Sequence, residues 1–170
     1  VCMVHLHDPG TFHGKTGPLQ APSDIEGKNV RPAHATLARF VNELGGASVQ
    51  VPAPEMREVL SKGTADITAS PWDSLFIFGA DDIVTHHLDV PLYVTTFAFV
   101  MNKGRIDGLS EANRAVIDDH CNPEWSERIA SPWADAEAAG RQKIIDAGHE
   151  MYVPTDEEMQ AWQDAAAPLR

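Results

Sequence analysis

The chain has 170 residues, and its 13 lysines and arginines against 25 aspartates and glutamates give a formal net charge of −12 at pH 7. This length allows one domain, or two small ones, with a buried core, and 43% apolar with 22% charged residues is typical of a globular protein. The acidity argues against nucleic acid as a partner, and the longest apolar run, 94–101, is strand-length and too short to be embedded in a membrane.

The first half of the sequence alternates short predicted strands and helices. Strands are predicted at 1–7, 28–31, 48–51 and 65–68, helices at 34–44, 54–62 and 72–78, and a loop rich in Pro, Gly, Thr and Ser at 8–23. Gly45 and Gly63 follow two of the helices and mark their ends. This alternation predicts an α/β fold with crossover helices.

The second half begins with two apolar stretches, 83–92 and 93–102, that predict mostly strand. A long helix is predicted over 110–147, with breaks near the prolines of Asn122-Pro123 and Ser131-Pro132, and a short strand follows at 151–153. Thr155 and Glu158 form a capping box that opens a last helix.

The chain starts without Met inside a predicted strand, and we interpret it as a fragment of a longer chain. Its two cysteines, Cys2 and Cys121, are far apart in sequence. They can form a disulfide in an oxidising compartment, but two cysteines are too few to indicate a disulfide framework. We favour two unpaired, buried thiols.

Three histidines near the start, His5, His7 and His13, suggest a metal site. Residues i and i+2 share a face of a strand, so His5 and His7 can reach one ion, as in metal-dependent hydrolases. The plainer interpretation, which we favour, is two surface or interdomain histidines on an extended segment.

Two strand ends carry side chains suited to an organic anion. Arg31 precedes Pro32 and a helix, where a guanidinium and a helix N-terminus together suit a carboxylate, although a surface ion pair explains Arg31 equally well. The segment Ser70-Pro71-Trp72 repeats this geometry, with Trp72 as either an apolar wall or a core residue.

The order and spacing of several short motifs resemble the substrate-binding proteins of TRAP transporters, the DctP family. The matching residues are Asp24-Ile25-Glu26-Gly27-Lys28, Arg31, Leu44-Gly45, Pro52, Glu55-Met56, Leu60-Ser61-Lys62-Gly63, Asp66, Phe99-Val100-Met101-Asn102-Lys103 and Leu109-Ser110. The sequence departs from the family pattern at Ile67, where the family has glycine, and at Gly46, where it has alanine.

The resemblance implies a periplasmic-binding-protein-like α/β fold with crossing strands, a long C-terminal helix and an incomplete second lobe. It divides the chain into an α/β ligand-binding lobe at 1–102 and a helical region at 103–170 that packs across the lobes. It also implies a ligand-binding set that comprises Arg31 as the carboxylate anchor, His34 as a polar contact, Pro54 as a wall and the turn residues Ala69 and Ser70. Because Ala69 and Ser70 are small, we expect Trp72 to reach the pocket as well.

The implied function is that of a periplasmic solute-binding protein that passes a small organic anion to TRAP membrane subunits, without catalysis, cofactor or metal. The alternatives are a metal-dependent hydrolase that uses His5, His7 and His13, and an inert α/β fragment. A chain that lacks most of one lobe is expected to bind weakly and to self-associate as a symmetric homodimer.

Overall fold

The computed structural model describes residues 1–169, which form a mixed α/β fold. The strands are β1 (Met3–Leu6), β2 (Thr11–Gly14), β3 (Asn29–Arg31), β4 (Ala47–Ser48), β5 (Ile67–Ser70), β6 (His86–Leu88), β7 (Thr96–Phe99) and β8 (Glu150–Tyr152). The helices are α1 (Ala35–Glu43), α2 (Met56–Ser61), α3 (Trp72–Ile77), α4 (Lys103–Asp107), α5 (Glu111–His120), α6 (Pro123–Asp146) and α7 (Asp156–Ala166). Short 3-10 turns lie at Pro22–Ile25, Ala53–Glu55 and Ala167–Leu169.

Six strands form one sheet in the order β4-β3-β5-β2-β6-β8. The pairs β3–β4, β3–β5 and β6–β8 are parallel, whereas β2 runs antiparallel to both of its neighbours. One apolar cluster joins α1 and α7 to the sheet, and a second joins α2, α3 and α6. The predicted α/β class is therefore confirmed, with a central antiparallel strand inside an otherwise parallel arrangement.

Strand β2 corrects the prediction of a loop over 8–23. All four of its residues are buried, so their sequence lacks the polar alternation that marks a half-exposed strand. Phe12 joins the apolar cluster on one face, and His13 points to the other face. The glycines and prolines that flank β2 made this segment resemble a loop.

Strands β1 and β7 form a separate antiparallel ribbon, in which Met3 pairs with Phe99 and Leu6 with Thr96. A disulfide joins Cys2, at the start of this ribbon, to Cys121, at the end of α5, with the two Cα atoms 4.4 Å apart. The interpretation of the cysteines as unpaired thiols was wrong, because the fold brings together residues 119 positions apart.

Helix α6 runs 24 residues through Pro132, so the predicted break there does not occur. The break near Pro123 is confirmed, because Asn122 caps α6 and Pro123 is its first residue. Between 83 and 102 only β6 and β7 are strands, and the proline-containing stretch between them is not. Among residues 1–169, no helix is both long and apolar enough to cross a bilayer.

Candidate functional site

A cleft of about 420 Å³ opens where β3 and β5 end. Its floor comes from Arg31, the last residue of β3, and from Ala69 and Ser70 at the end of β5. These two strands are parallel, so their carboxyl ends meet at one edge of the sheet, where α/β proteins commonly bind ligands. The volume falls within the range of small-molecule sites.

Arg31 is the one arginine or lysine among the described lining residues, and it is only 5% exposed. Its Nε donates to the Val51 carbonyl and one terminal nitrogen donates to the Ala69 carbonyl, both at 3.2 Å. Burial lowers the pKa of Arg31, but a guanidinium stays charged at neutral pH. The two carbonyls therefore hold a charged fork in a fixed orientation at the cleft floor.

Aromatic rings form one wall of the cleft. His7, Tyr93, Phe97 and Trp133 all line it, and the Phe97 and Trp133 ring centroids lie 5.3 Å apart. Most of the remaining lining is also apolar and includes Val51 and Met56. A cation between apolar walls suits an anion attached to an apolar body.

Helix α6 fixes the position of Trp133 through Glu137, one turn further along. The buried Glu137 carboxylate accepts from the Trp133 indole N–H at 2.7 Å and from the Asp73 backbone N–H at 2.6 Å. The second bond caps the first turn of α3, where a negative charge is favourable. Burial raises the pKa of Glu137, and these two hydrogen bonds oppose the rise.

Three of the six predicted ligand-binding residues line the cleft, namely Arg31, Ala69 and Ser70. His34 lies outside it and caps α1, where its Nδ1 accepts from the Leu37 N–H at 3.2 Å. Pro54 is exposed beyond the cleft, although its neighbours Pro52 and Ala53 line it.

Trp72 belongs to the core rather than to the cleft wall. It is 7% exposed and packs in the cluster with Leu75 and Ile144, with its ring centroid 4.8 Å from that of His13. Trp72, the first residue of α3, does not line the cleft, whereas Ser74, Ile77 and Phe78 further along the chain do. Trp72 therefore does not form a wall of the cleft, contrary to the expectation from the sequence.

The metal-site alternative is not supported by the histidine geometry. His7 uses both ring nitrogens, since Nδ1 donates to the Asp8 carbonyl and Nε2 accepts from the Thr95 N–H at 3.1 Å. His13 is instead hydrogen-bonded to His87, at 2.8 Å, and to the Ser70 carbonyl. Residues 1–169 contain no group of three histidine, cysteine or acidic side chains placed to hold a metal ion.

Sequence reasoning missed the aromatic wall. The sequence places Trp133 in the long helix predicted over 110–147, and Tyr93 and Phe97 in the apolar stretch 93–102. In the chain, His7 directly follows β1, Tyr93 precedes β7 and Phe97 lies within β7. Only the pairing itself brings them together.

A sheet of this topology with a ligand-sized cleft at its strand ends is the architecture of periplasmic solute-binding proteins. One solved structure, a TRAP solute-binding protein from Rhodoferax ferrireducens with copurified benzoate, matches 99% of this chain with a TM-score of 0.91 and 28% identity. A marine metagenome TRAP solute-binding protein specific for aromatic acid ligands, with bound 3-hydroxybenzoate, matches the same share with a TM-score of 0.90 and 26% identity.

The chain belongs to the DctP family of bacterial extracellular solute-binding proteins, family 7, whose pattern matches residues 9–170. A solute-binding protein of Chromohalobacter salexigens is 25% identical over 132 residues, which are 77% of this chain and 39% of that protein. The chain spans 54% of each of the two solved structures. The resemblance to TRAP solute-binding proteins is thus confirmed. This chain covers about half of the length of the two solved structures, and less of the Chromohalobacter salexigens protein.

Proposed function

We propose that this protein binds a small aromatic carboxylic acid without catalysing a reaction on it. The carboxylate pairs with Arg31 at the floor of the cleft, and the ring lies between the aromatic wall and Val51 and Met56. Ala69 and Ser70 are small, so they leave room for the ring beside the guanidinium.

The observation that carries this proposal is a buried charge without a counter-ion. Arg31 forms no ion pair with any carboxylate of residues 1–169, and its two hydrogen bonds are to neutral carbonyls. Burying an unpaired charge is costly, so such a group persists where it serves a ligand. A carboxylate supplies the missing negative charge and accepts from the guanidinium fork.

The choice of an aromatic acid rests on the cleft walls. Apolar side chains make up most of the lining, and the polar groups of His7, Ser70 and Trp133 already have hydrogen-bond partners within the protein. Few polar groups therefore remain for a polyhydroxylated acid. Two relatives above 25% identity, solved with bound benzoate and 3-hydroxybenzoate, support the same class.

We further propose that the protein works in the periplasm and delivers its ligand to TRAP membrane subunits, as its family membership suggests.

Exposed apolar residues on the β1–β7 ribbon, among them Leu6, Phe97 and Phe99, support the expectation that the chain self-associates. Light scattering at low micromolar concentration tests this, and a clean monomer contradicts it.

Calorimetry with benzoate tests the proposed site. Arg31→Ala is expected to weaken binding by about 2–4 kcal/mol, because a desolvated ion pair loses one partner. Arg31→Lys should recover little, since an ammonium lacks the planar fork. Arg39→Ala, at an exposed position of α1, is the matched control and should bind like the wild type. An Arg31→Ala protein with wild-type affinity would refute the proposal.

A further inference from the structure

Tyr93 has a buried phenol oxygen with no hydrogen-bond partner among residues 1–169. The residue is 9% exposed and lines the cleft together with Arg31. A buried hydroxyl without a partner is unfavourable, and native proteins rarely keep one without a reason. The hydroxyl therefore lacks the partner that a buried donor normally has, on a residue that lines the cleft.

The surrounding residues hold the Tyr93 ring in place. Gly10 pairs with Tyr93 through backbone hydrogen bonds, and a Cβ atom on Gly10 would come within 2.5 Å of the ring. The His34 and His7 rings meet the Tyr93 ring edge-on, with centroids 5.4 and 5.6 Å away. Glycine is thus required at position 10, and the phenol keeps one orientation without help from a ligand.

The phenol is a hydrogen-bond donor at neutral pH. Burial raises the pKa of Tyr93 above its ordinary value, although the nearby Arg31 charge partly opposes the rise. A protonated phenol and a guanidinium that line the same cleft can both donate to one anion.

We propose that Tyr93 is a ligand-binding residue whose phenol O–H donates a hydrogen bond to the carboxylate held by Arg31. This inference rests on the proposed function, because it needs a carboxylate in the cleft. It also assigns a role to His34, which positions the Tyr93 ring by edge-on contact from outside the cleft and does not contact the ligand.

Calorimetry with benzoate on Tyr93→Phe tests this inference, because the change removes a single oxygen. A hydrogen bond to a charged acceptor predicts binding about 10- to 100-fold weaker. Tyr152→Phe is the matched control, since the Tyr152 hydroxyl bonds to Glu158 at the far edge of the sheet, and it should retain the wild-type affinity.

The outcomes separate this inference from the proposed function. If Arg31→Ala loses benzoate while Tyr93→Phe binds it like the wild type, the role of Tyr93 is refuted and the binding site stands. If the wild type binds neither benzoate nor 3-hydroxybenzoate, the proposed function fails and this inference fails with it.

A second measurement does not depend on the folding of Tyr93→Phe. In wild-type protein labelled with ¹³C at the tyrosine Cζ, benzoate should shift the Tyr93 signal and leave the Tyr152 signal in place. Signals are assigned with the two Phe variants. A Tyr93 signal that does not move when benzoate saturates the protein would overturn the inference.

Discussion

A column of three buried or half-buried histidines predicts that the protein loses stability in mild acid. His13 Nε2 lies 3.0 Å from the Ser70 carbonyl, which can only accept, so this nitrogen carries the proton. His13 Nδ1 must then accept a hydrogen bond from the His87 Nδ1–H, at 2.8 Å. In the same way, His87 Nε2 accepts from the His149 Nδ1–H, at 3.0 Å. The column is therefore satisfied with all three imidazoles neutral.

Protonation disrupts this arrangement at its buried end. Burial lowers the pKa of His13 from 6.5 to about 4. The pKa of His87 is lowered to about 2, mainly by burial and secondly by the charge of His13. Asp89 favours the charged form of His13, whereas His86 and His149 disfavour that of His87. Between pH 6.5 and 4 the unfolded chain consequently binds more protons than the folded protein, so stability is complete above pH 6.5 and falls as the pH is lowered.

The magnitude follows from the folded and unfolded pKa values. From pH 7 to pH 5, His13 alone should remove about 2 kcal/mol from the free energy of unfolding, and His87 acts in the same direction. This is a large share of the roughly 5–15 kcal/mol that stabilises a typical domain.

Urea unfolding at pH 7, 6 and 5 measures this loss. His13→Gln can still donate to Ser70 and accept from His87, but it does not titrate, so between pH 7 and pH 5 it should lose about 2 kcal/mol less stability than the wild type, or about 1 kcal/mol per pH unit. His120→Gln, on the surface of α5, should keep the wild-type dependence. Equal slopes for the wild type and His13→Gln would refute the reasoning.

Three further changes test the packing around the cleft. Trp72→Ala should lower the free energy of unfolding by about 3–5 kcal/mol in urea unfolding, and a small loss would return Trp72 to the cleft wall. Replacing Cys2 and Cys121 by serine should cost about 2–4 kcal/mol in the same assay, and unchanged stability would count against the disulfide. Glu137→Ala leaves the half-buried donors of Asp73 and Trp133 unpaired, so we expect a loss of about 2–3 kcal/mol by urea unfolding and weaker benzoate binding by calorimetry. Wild-type values in both assays would exclude this role.

Local signals in the sequence predicted much of the fold. The Thr155 capping box is present, with the Glu158 N–H donating to Thr155 Oγ1 at 3.3 Å. Gly45 and Gly63 have φ angles of +79° and +71°, which few other residues adopt, and they follow the first two helices as expected. These features depend on neighbours in sequence, and the sequence shows those neighbours directly.

Features that depend on distant residues escaped prediction. Strand β2 is buried on both faces between β5 and β6, so it shows no alternation. Pro132 stays helical because α6 packs along α3 and β1. At the site, the Arg31-Pro32 pattern located the cation, but the aromatic wall depends on the β1–β7 pairing and on α6. Local sequence encodes neither.

A crystal structure of the protein with benzoate tests the central claim most directly. The account predicts the carboxylate in the cleft, with its oxygens about 2.7–2.9 Å from the Arg31 guanidinium and one of them within hydrogen-bond distance of the Tyr93 hydroxyl. Benzoate bound with its carboxylate away from Arg31, or bound outside the cleft, would contradict it.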